Sequence, residues 1–130
     1  MNEKITVSEY DFNRLTNLMK FYPAPKLEEE LNRADVINDI LVLPDLVTLD
    51  SNVLYTIDRN FYQSTLVSEE VPEDQDSCVS VLDELGTALL GLRENQEIRW
   101  FFPEGERQIR VLSVIYQPEA MGDLHPLSFH

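Results

Sequence analysis

The sequence predicts an α+β protein in which a short N-terminal antiparallel helical hairpin, a coiled coil over residues 1–43, precedes an antiparallel β-sheet domain with one short helix over residues 44–130. Three observations carry this. Two apolar stripes at helical spacing flank Pro23 and Pro25. After Pro44 the apolar period changes from helical to alternating. A short apolar turn, Ala88, Leu89 and Leu90, closes at Gly91 and leads into two strands.

The first stripe is Tyr10, Leu15, Leu18, Met19 and Tyr22. Ser8 can cap its free amides, with Asp11 three residues later as a weak capping box. Pro23 and Pro25 end this helix, and Pro25 suits the first turn of the next, where its missing N–H costs nothing. Leu27, Leu31, Ala34, Ile37 and Ile40 form the second stripe. Neither stripe is stable alone in water, so the two fold back on each other as arms of about 20 Å. Glu28, Glu29 and Glu30 read as a solvated helix start matched to the macrodipole.

Beyond the junction at 41–44, alternation places strands at Val47 and Leu49, at Val53, Tyr55 and Ile57, and from Phe61 to Val67. Asp50, Ser51 and Asn52 make one turn, and Asp58, Arg59 and Asn60 another. Residues 68–77 are acidic and almost free of apolar side chains, and read as an exposed loop. Their acids lack the ligand spacing and glycine of a calcium loop.

Val79 and Val81 make a further strand, in which Cys78 suits a small core residue rather than a catalytic thiol. Gly91 fits a helix end needing positive φ, and Asn95 a left-handed position in the next turn. In the final hairpin Ile98, Trp100 and Phe102 face one way, Arg99 and Phe101 the other. Trp100 reads as core. The last strand is apolar on both sides, with Ile109, Val111 and Ile115 opposed to Leu112, Val114 and Tyr116, and is expected to be central and covered twice. Residues 120–130 read as a tail of low order.

The chain has 130 residues, enough for one core, and 24 acidic against 10 basic residues give a net charge of -14. That charge repels nucleic-acid phosphates and anionic membranes and favours a basic protein partner. No apolar run resembles a signal peptide or a membrane span, so the expected location is cytoplasmic. The expected state is a monomer. His125 and His130, the only histidines, both fall in the tail, and Cys78 is the only cysteine. Neither a metal centre nor a nucleophile–base pair can be assembled, and no Gly-rich phosphate loop is present, so no cofactor is expected.

The run ALLGLR (88–93), then Ile98, Arg99 and Trp100, Pro103, Glu104 and Gly105, Val111 and Leu112, and YQPEA (116–120) with Gly122 and Asp123, resembles the regulator of nucleoside diphosphate kinase (Rnk) family. Val47, Thr48 and Leu49, the turn at 50–53, and Leu31, Asn32, Arg33 and Ala34 resemble it as well. The resemblance implies the FKBP-like fold of the C-terminal domain of the transcript cleavage factors GreA and GreB, preceded by a shortened coiled coil. It also implies RNA polymerase as partner, near the rim of the secondary channel, and a regulatory role without transcript cleavage. The Gre factors hold catalytic magnesium on carboxylates at the tip of a long coiled coil. Here the tip, residues 20–26, contains no carboxylate.

The loop Asp83, Glu84, Leu85 and Gly86 matches the polymerase-contacting loop of Gre factors, and with Tyr22 and Phe101 it forms the expected partner-binding surface. The family carries a proline before the loop glycine, where this chain has Glu84. It carries a glycine near the position of Asn95, and its hairpin tip is longer. The alternatives are an FKBP-like prolyl isomerase, a degenerate Gre-type cleavage factor, and an interaction module with another client that uses Phe101 and the hairpin tip.

Overall fold

The structure is a computed structural model that describes residues 4–69 and 77–117. Most of the expected acidic loop and all of the expected tail lie outside these residues. The elements, in order, are β1 (Thr6–Ser8), α1 (Glu9–Leu18), α2 (Pro25–Arg33), β2 (Asp35–Ile37), a 3-10 turn at Asp39–Leu41, β3 (Asn52–Ile57), β4 (Asn60–Val67), β5 (Cys78–Ser80), α3 (Glu84–Leu89), β6 (Glu97–Phe102) and β7 (Gly105–Tyr116). The α+β class expected from the change of period is observed.

The Ser8 hydroxyl accepts the Asp11 N–H at 3.1 Å, as a capping residue should. Asp11 itself goes further than a capping role: its side chain is buried and its Oδ2 accepts the N–H of Leu49 at 2.9 Å. Pro25 stands in the first turn of α2. That helix stops at Arg33, so the expected continuation through Ile37 and Ile40 fails. Asp35–Ile37 instead pairs in parallel with Thr6–Ser8, and Ile40 is 87% exposed. Glu30 is not a solvated residue: it is buried, and its carboxylate accepts from Arg33. Burial pushes its carboxyl up, against the lowering effect of Arg33.

The larger sheet has strand order β5-β4-β3-β7-β6. It is not wholly antiparallel, because β4 and β5 pair in parallel. Val47 and Leu49 are buried but form no strand of this sheet. Val47 exchanges hydrogen bonds with the chain leaving α3, accepting from Gly91 and donating to Leu92. Gly91 has φ +80° and Asn95 φ +69°, as their positions in the sequence required.

The last strand is central, between β3 and β6, and among the described residues the helices cover one of its faces. Its apolar residues on both sides have a different cause: β7 shifts register against β3 twice. Tyr55 opposes Val111 and Val53 opposes Val114, so three residues of β7 span two of β3. Each extra residue reverses the inside–outside phase, as a β-bulge does. Ile109 and Val111 are buried and Val114 packs on the same core, while Ile115 is 53% exposed.

One hydrophobic cluster joins Leu15 of α1, Leu27 and Leu31 of α2 and Leu89 of α3 to Val53, Tyr55, Trp100 and Ile109 of the sheet. The helices therefore lie on the inner face of the sheet. Each of the first two, at 10 and 9 residues, is about 15 Å long.

Two substitutions probe this packing. Asp11→Ala leaves the buried Leu49 N–H without its acceptor and is expected to lower unfolding free energy by about 1–3 kcal/mol in urea titration. Gly86→Ala places a Cβ 1.9 Å from the Ser80 carbonyl oxygen, a backbone atom that cannot swing aside. Its expected cost is about 3 kcal/mol, read as a lower urea midpoint.

Candidate protein-docking site

The loop singled out in the sequence is the link from β5 to α3. Its shape follows from short-range bonding. The Leu82 N–H donates to Ser80 Oγ at 3.1 Å, the Asp83 N–H to the Ser80 carbonyl at 3.1 Å, and Thr87 Oγ1 to the Val81 carbonyl at 2.8 Å. These bonds bring α3 down on Ser80, with the Gly86 Cα against its carbonyl.

The four loop residues are presented unequally. Asp83 is exposed at the N-cap of α3 and its side chain makes no capping bond. Leu85 is half-buried against the core, and Gly86 is buried.

Glu84 is engaged within the chain. Its Oε1 accepts from Trp100 Nε1 at 2.8 Å and from Lys26 Nζ at 2.9 Å. Lys26 also donates to the Phe101 carbonyl at 3.0 Å, and its ammonium lies 5.7 Å from the centre of the Trp100 ring. One carboxylate thus ties the start of α2 to the start of α3 and to β6. Burial acts to raise the Glu84 carboxyl, but the hydrogen bonds from Trp100 and Lys26 and the Lys26 charge outweigh it, and the net shift is downward.

Tyr22 is 48% exposed in the turn between α1 and α2. Phe101 is 66% exposed on the face of β6 opposite Trp100, as the alternation required. The structure therefore gathers Glu84, Trp100, Lys26 and the backbone of Phe101, while the Phe101 ring lies on the other side of the sheet. Lys26 is the residue that sequence reasoning missed. It stands 58 residues from Glu84, and no local pattern marks it. Trp100 is buried, as its alternation predicts, and its one polar atom completes the cluster.

Among the described residues no group of three or more His, Cys, Asp or Glu could hold a metal ion. Nor is any helix among them long and apolar enough to cross a membrane.

A depressed carboxyl stabilises the fold above its unfolded pKa and loses that contribution as pH falls through its folded pKa. Glu84→Gln should therefore cost about 1–2 kcal/mol at pH 7, and the gap from the unmodified chain should close as pH drops below the ordinary glutamate value of 4.5. Urea unfolding of both proteins across pH 3–7 (an interval of about 4 units) checks this.

The family model described as transcription elongation factor, GreA/GreB, C-term matches residues 43–116. The regulator of nucleoside diphosphate kinase of Escherichia coli (strain K12) is 37% identical over 103 residues, covering 77% of this chain and 76% of that protein. The protein of the same name from Shigella flexneri matches equally. Among solved structures, a prokaryotic transcription elongation factor GreA/GreB from Nitrosomonas europaea superposes with a TM-score of 0.69 at 32% identity, covering 88% of this chain and 100% of that one. The chain belongs to the GreA/GreB C-terminal family of transcription elongation factors, together with the regulators of nucleoside diphosphate kinase.

Proposed function

We propose that this protein is a non-catalytic, cytoplasmic regulator of transcription that docks on RNA polymerase near the secondary channel. The observation that carries the reading is the family match across residues 43–116, which includes the whole link from β5 to α3. Asp83 leads the contact, with the exposed parts of Glu84 and Leu85 beside it and Gly86 setting the depth of the loop. Tyr22 extends this surface from the turn between α1 and α2, and Phe101, on the opposite face of β6, meets the partner around the sheet edge. In this reading the sheet and α3 are an FKBP-like domain, residues 1–43 are the remnant of a Gre coiled coil, and the protein acts as a monomer.

Absence of transcript cleavage is supported by length and chemistry. A 10-residue helix spans about 15 Å, and residues 20–26 supply no carboxylate for magnesium. The net charge of -14 favours approach to a basic protein surface over free nucleic acid.

Pull-down with purified RNA polymerase at moderate salt should retain the unmodified chain, and Asp83→Lys should weaken retention by about tenfold. Failure of the unmodified chain to bind sinks the proposal. In a backtracked elongation complex with magnesium the protein should release no cleaved transcript; turnover there would overturn the non-catalytic part.

A further inference from the structure

The outer face of the large sheet carries a groove that the docking loop does not use. Phe61, Thr56, Arg110 and Glu97 are successive cross-strand partners on β4, β3, β7 and β6, so they form one row across the sheet. At the usual strand separation the row is about 14 Å long. With Arg59, Gln108 and Leu112 it lines a groove of about 570 Å³. Among the described residues all three helices contribute to the cluster on the opposite, inner face.

The charges in this groove are unusual for the chain. Arg14, Arg33, Arg93, Arg99 and Arg107 each meet a carboxylate. Arg59 and Arg110 are the exceptions: among the described residues neither guanidinium has an ion-pair or hydrogen-bond partner. This holds although acids outnumber bases 24 to 10. Arg110 stands in register with Glu97, yet no ion pair closes between them. Asp58, the nearest acid in sequence to Arg59, is occupied by Arg107 and by the Gln108 N–H.

Arg59 is also held in a conformation its side chain does not favour. It has φ +77° and follows Asp58 at φ +49° in the two-residue turn between β3 and β4. Glycine is the usual residue at that second position. A non-glycine residue kept left-handed at the rim of a groove points to use of its side chain. Phe61, 71% exposed, supplies an apolar surface beside it.

We propose that this groove binds an acidic polypeptide segment in which a carboxylate stands next to an aromatic or large aliphatic side chain. The carboxylate bridges Arg59 and Arg110, and the apolar side chain covers Phe61 and Leu112. Two guanidiniums against the one carboxylate of Glu97 leave a local excess suited to a single negative charge rather than to a phosphate dianion. A polynucleotide presents a run of phosphates that needs an extended basic track, whereas the groove holds only Arg59 and Arg110, with Glu97 beside them. A row about 14 Å long accommodates roughly four extended residues. This site is separate from the loop at 83–86, and its test does not depend on polymerase binding.

The test uses the full chain, isotopically labelled for amide NMR, titrated to about 5 mM with acetyl-Gly-Asp-Phe-Glu-Gly-amide. Shifts should concentrate on residues 56, 59, 61, 97 and 110, with a dissociation constant on the order of 0.1 mM. Arg59→Gln and Arg110→Gln should each weaken binding about tenfold, Arg110→Lys should weaken it less, and Glu97→Gln should tighten it about threefold. Opposite effects from two exposed positions in one row would not arise from misfolding. Absence of shifts, equal binding of the Asn/Gln counterpart peptide, or a preference of these amides for a single-stranded oligonucleotide overturns the proposal.

Discussion

The depth at which α3 sits on β5 governs much of the rest. Gly86 brings its Cα against the Ser80 carbonyl, closer than any side chain would allow. That approach places Glu84, two residues earlier, where one carboxylate oxygen reaches both the Trp100 indole and the Lys26 ammonium. Trp100 is thereby fixed on the inner face of β6, and Lys26 brings the first turn of α2 against the sheet. A contact between two backbones is thus converted, through a single acid, into the placement of a helix distant in sequence. The N-terminal helices are then held from two directions, by this cluster and by Asp11 on the Leu49 amide.

How far the sequence discloses this arrangement depends on the range of the interaction. Capping by Ser8, Pro25 at the start of α2, and the left-handed positions of Gly91 and Asn95 are set within a few residues and were legible. The alternation of β6 was legible too, because a regular strand keeps its phase. β7 was not, since two register shifts restore inward facing to residues that simple alternation assigns outward. The short parallel pair of β1 and β2 carries no period of its own: Asp35 and Val36 are exposed, and the pairing partners are about 30 residues apart in the chain.

The candidate site shows the same division. The loop at 83–86 could be singled out because it joins a strand to a helix between recognisable apolar runs. That only Asp83 among its residues is exposed could not be seen, since it follows from the burial of Gly86 and the capture of Glu84. The proline expected before the loop glycine is replaced by an acid that works inward. The substitution exchanges a rigid loop residue for a hydrogen-bonded one, so the loop is stiffened by tertiary contacts in place of a fixed φ.

This exchange makes the geometry of the loop dependent on charge. A proline would hold its backbone at any pH, whereas Glu84 holds Lys26 only while it is ionised. The Trp100 indole is a weaker constraint on the loop by itself, because a neutral carboxyl accepts a weaker hydrogen bond than a carboxylate. Loss of the bond to Glu84 would leave the start of α2 tied through Lys26 to the Phe101 carbonyl alone. The placement of α2 and the presentation of Asp83 are therefore coupled through one ion pair, and a change at either end is transmitted to the other over the length of a side chain.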